Sequence, residues 1–152
     1  MESVRDVMAA DHRQCDDYFV AVERSVAAVA WADAKAAFVQ FRDAMLRHLA
    51  AEESILFPAF EAYTGMSMGP TQVMRGEHGQ MRDLLSASEA ALNARDADDY
   101  SGNAETMLIM MQQHNMKEEN ILYPMCDQHL AYQLEKLLPQ LEGAIEAREE
   151  MQ

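Results

Sequence analysis

His48 stands four residues before Glu52, and His114 stands four before Glu118, while His12 and His78 each stand alone upstream of one such pair. On an α-helix a step of four turns about 400°, so both members of a pair share one face. His12 falls between Met8 and Cys15, His48 three beyond Met45, His78 between Met74 and Met81, and His114 three beyond Met111, all in phase with the apolar residues. Four imidazoles and two carboxylates are thus expected to face one core. A buried ionised carboxylate costs several kcal/mol unless it is paired, and two facing each other cost more. A pair of divalent cations removes the conflict. Imidazole nitrogen and carboxylate oxygen are ligands that iron, manganese and zinc accept. Two nitrogens for each ion, with both carboxylates bridging, leave open positions for water, oxide or a small molecule. Glu53 and Glu119 sit five beyond their histidines, about 140° round the helix. They are read as supporting or surface groups, with Glu119 the alternative to Glu118. No extra acid or base is evident on the inward faces. Cys15, one turn from His12, is a candidate helper whose position also suits a small core residue.

The chain repeats itself at an offset of 66: Val7 and Met8 recur as Val73 and Met74, His12 as His78, Met45 as Met111, and His48, Glu52, Glu53, Ile55, Leu56 and Pro58 as His114, Glu118, Glu119, Ile121, Leu122 and Pro124. His129 has Tyr63 as its counterpart. Two copies of this length are not a solenoid. They predict one domain over 1–152, with halves at about 3–64 and 69–129 related by a pseudo-twofold axis.

The elements that carry these residues follow from periodicity. Val4, Val7, Met8, Cys15, Phe19, Val22, Val26 and Val29 recur at steps of three and four, as do Phe38, Phe41, Met45, Leu49, Ile55, Leu56 and Phe60. Asp33 is read as the cap between these two helices. After Gly65 and Gly69-Pro70, the third helix carries Val73, Met74, Met81, Leu84, Leu85 and Leu92, and the fourth Met107, Met110, Met111, Ile121, Leu122 and Met125. The methionine stripe reads as packing. Short loops between long amphipathic helices give an all-α, antiparallel four-helix bundle. A C-terminal helical segment at about 130–149 carries Leu134, Leu137, Leu138, Leu141 and Ile145, with Pro139 expected to kink or divide it. It is expected to lie across the bundle or to serve a homodimer contact. Pro58 and Pro124 predict a matched pair of kinks below the site.

Composition sets limits on partners. A net charge of -14 argues against nucleic acid or an anionic membrane surface. The longest uncharged apolar run, Val26 to Ala32, is far short of a membrane span. The N-terminus has no apolar core of a signal peptide. Two cysteines are too few for a disulfide scaffold. A cytoplasmic location is expected.

The segments His48-Leu-Ala-Ala-Glu52-Glu53-Ser-Ile-Leu-Phe-Pro58 and His114-Asn-Met-Lys-Glu118-Glu119-Asn-Ile-Leu-Tyr-Pro124 resemble the signature of the hemerythrin-like, HHE cation-binding family, with His12 and His78 matching the isolated histidine before each. The resemblance runs from about Ser3 to Gln128. It implies a bundle holding two iron ions in an oxo- or hydroxo-bridged, non-haem centre, with manganese or zinc as other occupants. It assigns His12 and His48 to one ion, His78 and His114 to the other, and Glu52 and Glu118 as bridges. Oxygen-carrying hemerythrins have a fifth histidine where this chain has Met74 or Arg82. The set is therefore closer to that of the repair-of-iron-centres proteins, whose extra N-terminal cysteine-containing domain is not found here. The function implied is binding or sensing of oxygen, nitric oxide or peroxide at an open metal position. The alternative is an enzyme reducing peroxide or nitric oxide, or an iron donor.

Overall fold

Ser3 opens the first helix with a capping box: its hydroxyl accepts from the Asp6 amide at 3.0 Å, and the Asp6 carboxylate accepts from the Ser3 amide at 3.2 Å. In the computed structural model, which describes residues 2–146, that helix is α1, Val4–Ala27. It is followed by α2 (Trp31–Ala51), a five-residue π turn (Glu52–Leu56) and α3 (Phe57–Thr64). Gly65, at φ 73°, takes the left-handed conformation that ends α3. The second half repeats the pattern with α4 (Pro70–Asn93), α5 (Ala97–Lys117), a π turn (Glu118–Leu122) and α6 (Tyr123–His129). A short 3₁₀ turn then leads to α7, Leu134–Ile145. No strand occurs among the described residues. The molecule is thus four rods, two of them interrupted by π turns, plus one C-terminal helix.

The internal repeat extends to the loops. Val29 and Arg95 stand at equivalent positions, and both adopt positive φ, 57° and 53°. Each turn closes with the same bonds: Ala30 N–H to the Ser25 carbonyl and Asp96 N–H to the Ala91 carbonyl, at 2.9 and 3.0 Å. The N-caps differ. Asp96 accepts from the Asp99 amide at 3.0 Å, whereas Ala30 caps α2 with no side-chain acceptor. Asp33 is therefore not the cap. It sits in the first turn of α2, where its charge meets the positive end of the helix dipole.

The proline expectation is refined rather than met by simple kinks. Pro58 and Pro124 cannot donate to the carbonyl four residues back. The chain answers with a wider turn just upstream, in which Phe57 N–H reaches the Glu52 carbonyl and Tyr123 N–H reaches that of Glu118, a spacing of five. Ile121 and Val73, assigned to the inward stripes, lie outside instead, 55% and 53% exposed. Val29, at the end of the first stripe, is exposed in the turn.

The core has two apolar clusters. One is built around Phe19, Phe38, Phe41, Met81, Leu92 and Met107, the other around Met8, Phe57, Phe60, Tyr123, Leu137 and Leu141. Each fully buried side chain of this size contributes about 1.5–3 kcal/mol. Between the clusters, along every rod, falls one polar layer. The methionines at 45, 81, 107 and 111 pack in the first cluster. Pro139 lies inside α7 without dividing it; the break comes earlier, at Leu130–Gln133. Helix α7 lies on the bundle against α1 and α2, burying Leu137 and Leu141. The end of the expected C-terminal segment, 147–149, lies outside the described residues.

Candidate metal centre

Each rod sends its polar residues into the layer between the clusters. Helix α1 supplies His12, α2 His48, α4 His78 and α5 His114; Glu52 and Glu118 are the first residues of the two π turns. All six are buried, and both glutamates are 0% exposed. They come together as two overlapping sets: His12, His48 and Glu118, and Glu52, His78, His114 and Glu118.

The four rings are held from behind. Nδ1 lies 2.6 Å from Glu119 Oε2 in His12, 2.7 Å from Asp11 Oδ2 in His48, 2.7 Å from Glu53 Oε2 in His78, and 2.7 Å from Glu77 Oε1 in His114. A carboxylate can only accept, so each Nδ1 carries the hydrogen and each Nε2 lone pair points inward. Those lone pairs then meet further carboxylate oxygens. His12 Nε2 is 3.0 Å from Glu118 Oε1, His78 Nε2 3.0 Å from Glu52 Oε1, and His114 Nε2 3.2 Å from Glu118 Oε2. Two acceptors face each other at this range only when a proton or a cation lies between them. At one end the contacts are close without hydrogen-bond alignment: Glu52 Oε1, His78 Nε2, His114 Nε2 and Glu118 Oε2 are buried and make no hydrogen bond. The donor chemistry fits a pair of cations.

Left to themselves, these groups titrate against one another. Burial opposes charge on His48, but the Glu52 charge and bonds to Asp11, Glu118 and Glu52 outweigh it and hold its pKa well above the ordinary value. His114 is likewise disfavoured by burial, yet bonds and charge from Glu118, with Glu52 and Glu77, raise it to about 9. Burial pushes Glu118 up, and its bonds to Glu52, His114, His12 and His48 win, leaving it well below the carboxylate range. The protein thus gathers positive charge where cations would otherwise supply it.

The outer carboxylates have their own partners. Arg82 grips Glu53 with two bonds of 2.8 Å, and Lys117 pairs with Glu77. Glu53 and Glu119 therefore stand behind His78 and His12 and not among the inner atoms. Asp11 and Glu77, which sequence reasoning missed, do the same for His48 and His114. A signal existed: each is the residue before an isolated histidine, and the two are again 66 apart. Around a helix that position is about 100° from its neighbour's face. Each acid therefore reaches the histidine of an adjacent helix.

One inward group was also missed. The Tyr123 hydroxyl lies 2.5 Å from Glu52 Oε2 and 2.8 Å from Glu118 Oε1 and donates toward these carboxylates. Burial and the two carboxylate charges push this phenol well above its ordinary pKa. Cys15 is buried, and burial raises its thiol to about 12, which makes it a core residue of low reactivity. Both cysteines are free. His129 lies away from the cluster, its ring 6.0 Å from that of its counterpart Tyr63.

Four rods around a buried layer of nitrogen and oxygen donors define a helical bundle of two similar halves with a candidate metal site at its centre. The family model of the hemerythrin HHE cation-binding domain matches residues 3–126, and the chain belongs to that family. Among curated proteins and among solved structures no match is found.

Proposed function

We propose that the chain holds two iron ions, His12 and His48 on one and His78 and His114 on the other, with Glu52 and Glu118 bridging, and that it binds or senses oxygen, nitric oxide or peroxide at an open metal position. The observation that carries this reading is the set of four buried, hydrogen-bond-free atoms at the His78/His114 end, each aimed at the same small volume. Iron, as against zinc or manganese, rests on the family. Such a pair would supply reversible redox change and coordination positions that a small molecule can enter. The chain's own residues do the rest. Glu119, Asp11, Glu53 and Glu77 fix the imidazole tautomers, and the two apolar clusters exclude water from the layer. No described helix is long and apolar enough to cross a membrane. A cytoplasmic location is in keeping with two free cysteines.

The test is the metal content of protein purified without added metal, with the visible spectrum before and after reduction. The reading expects two irons per chain and bands that bleach on reduction. Zinc or manganese in their place, or no metal at all, would overturn it. Rapid mixing of the reduced protein with oxygen, nitric oxide and peroxide then separates a stable adduct, as expected here, from the repeated turnover of an enzyme.

A further inference from the structure

Tyr123 and Phe57 are equivalent residues of the two halves. Both rings are fully buried. Tyr123 stacks on His12 with centroids 5.7 Å apart and planes at 27°, and Phe57 stacks on His78 at 5.5 Å and 24°. The repeat thus places the same ring in the same pose twice, and the two rings differ by one oxygen atom. That oxygen is 2.5 Å from Glu52 Oε2, 2.8 Å from Glu118 Oε1, 3.2 Å from His48 Nε2 and 3.3 Å from His12 Nε2. Ligands bound about 2.1 Å from one ion and at right angles to each other lie about 3.0 Å apart. The phenol oxygen thus stands from Glu118 Oε1, His48 Nε2 and His12 Nε2 at about the distance of a neighbouring ligand, while its 2.5 Å contact with Glu52 Oε2 is a short hydrogen bond. The opposite end has no such oxygen, and there the inner atoms are left without hydrogen bonds.

We propose that the Tyr123 oxygen is a further ligand of the ion held by His12 and His48, so that the two metal positions are chemically unequal. The inference rests on the paired-ion reading above. On ligation the phenol O–H bond breaks, an oxygen–metal bond forms, the hydrogen leaves to water as a proton, and no electron changes hands. A hard anionic oxygen favours the more oxidised ion at this end. The open position for a small molecule then lies at the His78/His114 end.

The test loads the full chain with iron alone, oxidises it, and compares the wild type with Tyr123→Phe. The wild type should show a visible phenolate-to-ferric charge-transfer band, with tyrosine ring vibrations enhanced when resonance Raman excitation falls on it. Tyr123→Phe, loaded with iron at saturation, should lose both while its helical circular dichroism is unchanged. Should that variant fold poorly, Phe57→Tyr provides a second arm, since a second phenol in the same pose should strengthen the band. Bound iron without tyrosine vibrations in the wild type, or a band that survives in iron-loaded Tyr123→Phe, would overturn the ligand assignment alone. A wild type that holds no iron would overturn the paired-ion reading and this assignment with it.

Discussion

Each inner imidazole depends on an acid from another helix. His78 is the clearest case, because Glu53 is itself clamped by Arg82. Removing such an outer partner typically lowers metal affinity about 10–100-fold while leaving the ligands in place. Glu53→Ala should therefore keep its full complement of ions at saturation but lose them at lower chelator concentration, within that range, in a competition titration. A variant with unchanged affinity would show that the outer bond does no positioning. A pH effect follows from His114. Its folded-state pKa, about 9, lies above the ordinary 6.5 because the Glu118 and Glu77 contacts outweigh burial. The stability this contributes is fully present below about pH 6.5 and is lost as pH rises through about 9. Chelator-stripped protein should accordingly unfold at lower denaturant near pH 9 than near pH 6.5. Ion affinity should rise over the same window, because an ion must displace that proton.

The π turns explain why Tyr123 faces the layer. On a regular α-helix a residue five beyond Glu118 would lie about 140° away. The wider turn spends one more residue per circuit and brings Tyr123 back toward the same face, as it does Phe57 beyond Glu52. The helices, the inward phase of His12, His48, His78 and His114, and the two halves were legible, because a period near 3.6 and an exact offset are properties of a single strand of letters. The register slip was not, because periodicity assumes an unbroken helix; Ile121 was placed inward and Tyr123 was not recognised for that one reason. Asp11 and Glu77 were hidden because the helix they serve is a neighbour, and neighbour choice is a tertiary property. The sequence is compatible with α7 on the bundle or at a dimer contact. Leu141, 0% exposed in the second apolar cluster, favours the bundle. Leu141→Ala should destabilise the chain by about 2–5 kcal/mol in chemical denaturation. A variant of normal stability whose only change is in oligomeric state would assign α7 to an interface instead.

At the scale of the whole molecule, the six inner residues come from all four rods, and Glu52 and Glu118, which open the two π turns, both lie within hydrogen-bond distance of the Tyr123 hydroxyl. An ion pair there would tie both halves together, and its binding free energy would be stability of the fold. A free-ion concentration about 100 times Kd adds about 2.7 kcal/mol, and each kcal/mol moves Tm by about 2–4 °C in a chain of this size. Stripping with a chelator should lower Tm accordingly, and adding the ion back should restore it; an unchanged Tm would mean that the fold does not depend on metal. The repeat also makes the places of the two proposed ions specific. The most direct measurement is anomalous scattering from a crystal of iron-loaded protein, with data collected on either side of the iron edge. Two peaks about 3.5–4 Å apart, one beside His12 and His48 and the other beside His78 and His114, with Glu52 and Glu118 between them, are the expected result. A layer without peaks, or iron bound only outside it, would contradict the account.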